Sequence, residues 1–253
     1  MLERELNSAA ELAREAGRIL LDIYARDFSV AYKSKNDPVG IVAEETADQS
    51  DAQKFERCWF VDPLDGTKEF IAKNGEFAVM IGLAIRGESR LGVVFQASKD
   101  KLYAGVVGAG ATLTEALATR SLHVSPKTDP SSLRLVVSRS HRPQSIERIM
   151  QGLGARDEMP SGSVGVKVGL IVERAADLYV HISDKSSLWD ACGPEAILRA
   201  AGGHFTHVDG SPIRYDVAEM QNRKGILAVN AGCFERVREV VTAAAVAEGF
   251  LAR

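Results

Sequence analysis

The sequence has few cysteines and no long hydrophobic run. Its three cysteines, Cys58, Cys192 and Cys233, are odd in number and widely spaced, so they predict neither a disulfide framework nor a Cys-x-x-Cys metal site. No apolar stretch reaches the roughly 20 residues that a membrane-spanning helix needs, and the first residues lack the apolar core of a signal peptide. We therefore expect buried, reduced thiols in a cytoplasmic protein that does not bind a membrane.

The chain also has no excess of positive charge. The 253 residues include 31 Lys and Arg against 34 Asp and Glu, and the formal net charge is −3. This balance argues against binding of a nucleic-acid polymer, which needs a basic face. A small phosphorylated metabolite needs only a local cluster of positive groups, so such a partner remains compatible with the composition.

The order of the predicted elements divides the chain into two halves. Residues 1–127 begin with an amphipathic helix over residues 3–26 and continue with closely spaced strands, which are typical of an antiparallel α+β arrangement. These strands are predicted at 58–61, 76–86, 91–96 and 101–106. Residues 128–253 alternate strands and helices, as in a mixed α/β half, and the segment 126–132 is the best linker candidate.

The most informative segment is Asp62–Phe70, which follows a short apolar run. Asp62 and Asp65 lie three residues apart at a predicted strand end, and carboxylates bind hard cations such as Mg²⁺. Gly66 and Thr67 can begin a helix whose free N–H groups bind phosphate. Together these features predict a metal-assisted phosphate site. Taken alone, the Asp-Pro-x-Asp pattern is explained equally well by a turn followed by an N-cap.

Two further acidic residues follow or begin predicted elements. Glu44 comes after the apolar residues 41–43, and Asp190 stands at a predicted helix start over 190–201. Singly, Glu44 indicates a solvated surface group and Asp190 an N-cap. With Asp62 and Asp65 they form an oxygen-only set without His or Cys, which favours Mg²⁺ over Zn²⁺. Bound ions sharing Asp62 would hold a phosphate group and activate a water molecule.

The segment Ser138–Arg142 contains two arginines and a histidine beside hydroxyl groups, at the end of a predicted strand. It is either a plain surface loop or a site for a second phosphate group.

At the level of motifs, the chain resembles the lithium-sensitive, Mg²⁺-dependent phosphatases that include inositol monophosphatases and fructose 1,6-bisphosphatases. Within them it is most similar to the 3′(2′),5′-bisphosphate nucleotidases. The segments Asp62–Phe70 and Leu188–Leu198, the latter followed by Ala201-Gly202-Gly203, carry the resemblance, which covers nearly the whole chain. It implies a layered α/β/α/β/α fold with the site between the two halves, and a homodimer as a common assembly.

The resemblance also implies a role for each matching position. The implied ligands of two or three Mg²⁺ ions are Glu44, Asp62, the carbonyl of Leu64, Asp65 and Asp190. The implied catalytic residues are Thr67, Glu44 and Asp65, with the Thr67 hydroxyl orienting the attacking water. The implied phosphate and substrate contacts are Gly66, Thr67, Lys68, Ser138, Arg139, His141, Gly165, Lys167, His181 and Asp190.

Four local differences favour a nucleotide over inositol phosphate as the substrate. They are Lys68–Phe70 with Asn74–Phe77, the loop Ser138–His141, the segment Gly162–Lys167, and His181 where inositol enzymes place a glutamate. The resemblance therefore implies removal of the 3′-phosphate of adenosine 3′,5′-bisphosphate. The alternatives are an inositol monophosphatase or broad sugar-phosphate phosphatase and, in another class, a catalytically silent protein that binds a phosphorylated metabolite.

One part of the family pattern is missing between Val39 and Gly40. The related sequences have a Thr-x-Ala-Asp strand end and a following helix there, and the missing Asp would polarise Thr67. Either the natural chain is longer or the segment has been deleted. We expect the longer form, because a deletion would remove an edge of the first helical layer and expose apolar core. An intact mass well above 27.3 kDa would distinguish the two.

Overall fold

The computed structural model describes residues 2–25, 42–44, 55–139 and 142–252. The helices are α1 (Glu3–Tyr24), α2 (Thr67–Ile71), α3 (Ser145–Leu153), α4 (Val164–Val172), α5 (Leu188–Ala200) and α6 (Phe234–Ala247). The strands are β1 (Val42–Ala43), β2 (Arg57–Asp65), β3 (Ala78–Ile85), β4 (Glu88–Gln96), β5 (Lys101–Val106), β6 (Gly110–Glu115), β7 (Ala118–Leu122), β8 (Arg134–Ser138), β9 (Asp157–Ser161), β10 (Leu178–His181), β11 (Ser186–Ser187), β12 (Gly203–Thr206), β13 (Gln221–Asn222) and β14 (Ile226–Asn230).

The first sheet contains β1 to β7 in sequence order. Apart from the parallel pair β1 and β2, all its neighbours are antiparallel, which confirms the predicted meander. The strands β6 and β7 were not predicted. They lie in a Gly- and Thr-rich segment, where the opposed Thr114 and Thr119 join their hydroxyls across the pair at 2.8 Å.

The second sheet has five strands in the order β12-β14-β10-β8-β9. The pairs β8–β10 and β8–β9 are parallel, whereas β14 is antiparallel to both its neighbours. This mixed sheet, with helices between its strands along the chain, is the arrangement predicted for the second half. The unpredicted β9 contains Pro160, which an edge strand tolerates because one side of it needs no ladder hydrogen bonds.

Helices and sheets alternate in five layers. The helix α1 packs on β3 and β4 of the first sheet, and α4 and α5 lie between the two sheets. The helices α3 and α6 pack together against the second sheet. The predicted α/β/α/β/α layering is therefore confirmed. Among the described residues, no helix combines the length and the apolar character of a membrane span.

The contact between α5 and the first sheet is made by main-chain atoms. Gly82 of β3 and Gly92 of β4 are cross-strand partners, and both face Gly193 of α5. A Cβ atom on Gly82 or on Gly92 would overlap the backbone of Gly193. The helix therefore lies directly on the sheet at this point, which fixes the position of its first turn and of Asp190.

Candidate active site

Asp62 is buried near the end of β2. Side chains alternate along this strand, so Asp62 points to the same side as the buried Cys58 and Phe60, toward the helices between the sheets. Its Oδ1 accepts a hydrogen bond of 2.9 Å from the backbone N–H of Leu64, which closes a turn around Pro63. This geometry brings an acidic group into the layer that contains α5.

Asp65 ends the same strand after a bulge and joins the two halves of the chain. The register with β3 shifts between Asp62 and Asp65 because the chain bulges at this point. The Oδ2 atom of Asp65 accepts hydrogen bonds from the Ser163 hydroxyl at 2.5 Å and from the Gly165 backbone N–H at 3.0 Å. A carboxylate at the start of α4 is stabilised by the helix dipole.

Asp190 lies in the first turn of α5, three residues after the N-cap residue Ser187. The predicted start of this helix at residue 190 is wrong by two residues, since α5 starts at Leu188 with Ser187 as its N-cap. Asp190 accepts a hydrogen bond of 2.7 Å from the Ser187 N–H, and the Ser187 side chain accepts one in return from the backbone of Asp190, forming a capping box. The N-cap interpretation of Asp190 is thus corrected, although its placement at the helix start holds.

The carboxylates destabilise one another's negative charge. Burial raises the pKa of Asp62 well above its usual value, and the nearby charges of Asp65, Asp190 and Glu44 raise it further. Burial, followed by the charge of Asp65, raises the pKa of Asp190 to about 7. Glu44 is exposed, and its N–H donates to the Val61 carbonyl at 3.2 Å, which places it beside β2. The four groups thus lie close enough for their negative charges to repel one another, although the buried Lys167 also lies near Asp65.

This donor set suits a hard cation. Its members offer only oxygen atoms, and a divalent ion among them would relieve the repulsion that raises their pKa values. Within the described ranges, however, no three His, Cys, Asp or Glu side chains are already gathered around one point. The carboxylates therefore offer the oxygen ligands that Mg²⁺ prefers, but their side chains are not close enough together to surround one ion.

Gly66 and Thr67 form the turn that follows these carboxylates. Gly66 has a φ of +88°, and a Cβ atom there would lie 2.7 Å from the Glu76 carbonyl oxygen, so only glycine fits. The turn begins α2, as predicted. The hydroxyl of Thr67 donates to the Leu64 carbonyl at 3.2 Å, which ties the predicted water-orienting group to a predicted metal ligand.

A cavity of about 250 Å³ lies between the halves at this turn. Eight of its lining residues are predicted site residues, namely Asp65, Gly66, Thr67, Lys68, Ser138, Lys167, His181 and Asp190. Lys167 is 4% exposed, and its ammonium donates to the Ser163 carbonyl at 3.1 Å and lies 5.1 Å from the centre of the Tyr179 ring. Burial lowers the pKa of Lys167.

Several lining residues were not predicted. Ser163, Tyr179, Lys185 and Ser186 all line the cavity. Only Ser163 carries a local signal in the sequence, because a serine before an apolar helical run is a typical N-cap, and its Oγ accepts from the Val166 N–H. Of the other three, Tyr179 lies in β10, whereas Lys185 directly precedes β11 and Ser186 begins it; β11 pairs with β13 in a separate two-stranded sheet, so the three meet at the cavity only in the folded chain.

Two predicted contacts, Arg139 and Gly165, do not line this cavity. The guanidinium of Arg139 is bound to Glu76, and the N–H of Gly165 is used by Asp65. Arg142, from the same loop as Arg139, is paired with Glu158. A third predicted contact, His141, lies outside the described residues, as does the gap in the family pattern at residues 39 and 40.

Comparison with known proteins shows the family to which the chain belongs. The model of the inositol monophosphatase family matches residues 37–246, which is most of the chain. The chain belongs to the inositol monophosphatase family. It is 31% identical to the protein named 3′(2′),5′-bisphosphate nucleotidase CysQ from Escherichia coli O157:H7, over 85% of this chain and 95% of that protein.

Solved structures from this family share the fold. The crystal structure of CysQ from Bacteroides thetaiotaomicron, described as a bacterial member of the inositol monophosphatase family, aligns with a TM-score of 0.77 at 27% identity. That alignment covers 91% of this chain and 99% of the other. The inositol monophosphatase from Anabaena aligns with a TM-score of 0.74 at 24% identity, covering 96% of both chains.

Proposed function

We propose that this protein is a Mg²⁺-dependent phosphomonoesterase that removes the 3′-phosphate of adenosine 3′,5′-bisphosphate. The observation that carries the proposal is that Glu44, Asp65 and Asp190 lie near enough to Asp62 for their charges to raise its pKa, beside the Gly66 turn and a cavity that also contains the buried Lys167. The relatives whose names denote a 3′(2′),5′-bisphosphate nucleotidase support the choice of substrate.

Glu44, Asp62, the Leu64 carbonyl, Asp65 and Asp190 would hold two or three Mg²⁺ ions. When bound, the ions would polarise the phosphate oxygens and lower the pKa of a water molecule. Asp62 is the residue on which this assignment depends most, because it is buried and faces the other three carboxylates. A bound cation would stabilise the ionised form of Asp62, which burial and the neighbouring carboxylates destabilise.

The chain's own groups would bind and orient the reactants. The backbone N–H groups at Gly66, Thr67 and Lys68 would hold the oxygens of the scissile phosphate. The hydroxyl of Thr67, together with Glu44 and Asp65, would position the attacking water on one side of phosphorus. Asp190 would lie on the side of the leaving oxygen, at the start of α5.

Recognition of the nucleoside would fall to the second half. We assign it to Ser138 and His181, which line the cavity, to Lys167, and to the neighbouring Gly165. His141 and Arg139 belong to the same proposal, but Arg139 would offer a substrate its Nε and Nη2 only by leaving Glu76. We further propose a cytoplasmic location, inhibition by lithium and a homodimeric assembly.

Phosphate release with Mg²⁺ tests this proposal. Adenosine 3′,5′-bisphosphate and inositol 1-phosphate would each be assayed with and without Li⁺. Fast, lithium-sensitive release from the nucleotide alone is the expected result. Comparable release from both would indicate a broad phosphatase, and binding of the nucleotide without release would indicate a catalytically silent binding protein.

A further inference from the structure

A substrate with two phosphate groups needs a cation for the second group, and the arginines next to the cavity are already neutralised. Arg139 binds both carboxylate oxygens of Glu76, at 2.6 and 2.7 Å. Arg142 binds Glu158 with its Nε and Nη2 at 2.8–3.0 Å. Both pairs occupy Nε and Nη2, so unless its pair breaks, each guanidinium can offer a phosphate group only Nη1, which makes both arginines less suitable than an unpaired cation.

Three lysines line the cavity, and they differ in what they can still bind. Lys68 follows the turn of Gly66 and Thr67, beside the proposed scissile phosphate. Lys167 is buried, with its ammonium held by the Ser163 carbonyl and the Tyr179 ring. Lys185 is exposed and lines the cavity from the segment before β11, and in the described part of the chain no carboxylate lies within ion-pair distance of its ammonium.

The backbone of Lys185 is held in place although its side chain is exposed. Its N–H donates to the Ser183 hydroxyl at 3.2 Å, and the carbonyl of Asp184 accepts from the side chain of Gln221 at 2.7 Å. On its other side, Ser186 pairs with Asn222 in the short ladder of β11 and β13. The chain therefore presents this lysine to the cavity from a fixed position.

The neighbouring carboxylate of Asp184 forms its ion pair with Arg223 and not with Lys185. The carboxylate of Asp184 lies 4.0 Å from the guanidinium of Arg223, on the side of β13. Of residues 181–186, those that line the cavity are His181, Lys185 and Ser186, so this segment brings the positive charge of Lys185 to the cavity and not the negative charge of Asp184. Lys185 lies five residues before Asp190, so its position depends on where α5 starts.

We propose that Lys185 binds the second phosphate group of the substrate and thereby makes the site selective for bisphosphates over monophosphates. This assignment rests on the proposed function, because it takes the substrate to be a nucleoside bisphosphate. Lys185 then replaces Arg139 among the substrate contacts proposed above, and Arg139 keeps its ion pair with Glu76, which joins the two halves.

Steady-state kinetics with two substrates test the assignment. The variants Lys185→Ala, Lys185→Arg and Arg139→Ala would be compared with wild type on adenosine 3′,5′-bisphosphate and on adenosine 3′-monophosphate. Arg148→Ala serves as the control, since it removes one exposed positive charge from α3, away from the cavity. For Lys185→Ala we expect KM for the bisphosphate to rise roughly tenfold, with kcat and the monophosphate KM unchanged. Lys185→Arg should retain most of the bisphosphate preference.

Equal KM changes on both substrates would overturn the role of Lys185, as would a bisphosphate-specific increase in Arg139→Ala alone. Calorimetric binding of the bisphosphate with Ca²⁺, for wild type and Lys185→Ala, separates this proposal from the proposed function. If wild type binds but does not hydrolyse, the proposed function fails, and a loss of affinity in Lys185→Ala still supports the lysine. If wild type neither binds nor hydrolyses the bisphosphate, both proposals fail.

Discussion

The guanidinium of Arg139 and the carboxylate of Glu76 form a two-pronged ion pair between the two halves of the molecule. Nε of Arg139 lies 2.7 Å from Oε2 of Glu76, and Nη2 lies 2.6 Å from Oε1. The N–H of Gly162 also donates to Oε2, at 2.7 Å. One side chain of the first half therefore holds two points of the second half, directly before the turn that carries Ser163.

Replacing Glu76 with Gln should weaken this connection in a pH-dependent manner. Burial raises the pKa of Glu76, but the hydrogen bonds from Arg139 and Gly162 outweigh it and leave the pKa below the usual value of 4.5. The carboxylate then contributes stability above pH 4.5, and the contribution is lost as the pH falls through the folded-state pKa.

We expect Glu76→Gln to lower the free energy of unfolding by about 1–2 kcal/mol at pH 7, since the half-exposed Arg139 is partly screened by solvent. The difference from wild type should shrink in strong acid. Denaturant unfolding at pH 7 and at pH 3.5 would measure it, and a difference of the same size at both values would contradict the ion-pair explanation.

Asp62→Asn should separate folding from metal binding. The Asn oxygen can still accept from the Leu64 N–H, while the buried negative charge disappears. Without divalent cations the variant should therefore be at least as stable as wild type. Turnover should fall by more than about a hundredfold, because charge stabilisation by the ions is lost. The rise in Tm on adding Mg²⁺ should also shrink, and an undiminished rise would exclude Asp62 as a ligand.

Thr67→Val tests the hydroxyl that donates to the Leu64 carbonyl. If this hydroxyl orients the attacking water, kcat should fall by roughly a hundredfold with little change in KM. Thr67→Ser, which keeps the hydroxyl, should retain most of the activity. An equally low kcat in both variants would point instead to the methyl group and to packing of the turn.

Because of Glu195, we expect the protein to lose stability as the pH rises from about 4.5 to about 7. It is 3% exposed, accepts hydrogen bonds from Tyr215 and Arg199, and has its pKa raised by burial to about 7 from 4.5. Because the folded state binds the proton more tightly, its contribution is full below pH 4.5 and declines as the pH rises to about 7. The total decline is up to about 3 kcal/mol.

Glu195→Gln cannot titrate, so its stability relative to wild type should increase between pH 5 and pH 8. Chemical unfolding of both proteins at the two pH values measures this difference directly. Glu248→Gln, at the exposed end of α6, is the matched control and should show no such change. A constant difference between Glu195→Gln and wild type would mean that Glu195 is ionised throughout.

The local part of the site could be predicted from the sequence. Alternation along β2 places Asp62 on the buried side with Phe60, and the Gly66 turn follows from residues that are adjacent in the chain. A capping box from Ser187 to Asp190 was also available as a local signal, and it would have placed the start of α5 correctly.

The contacts between the halves could not be predicted in the same way. Glu76 meets Arg139 across 63 residues, and Asp65 meets Ser163 across 98. Such pairs depend on how two sheets are placed relative to each other, which no short-range pattern encodes. For the same reason the exposed Lys185 looks like any surface lysine until β10 and β11 bring it to the cavity wall.

The glycine contact beneath α5 determines which mutations the site can tolerate. Main chain lies on main chain where Gly193 meets Gly82 and Gly92, so the spacing between the β2 carboxylates and Asp190 does not depend on side-chain volume. Apolar residues elsewhere in the core can therefore change size over generations without altering the geometry of the four acids. A single added methyl group at either strand glycine would shift the helix and change the distance between Asp190 and the β2 carboxylates, without replacing any of the four acids.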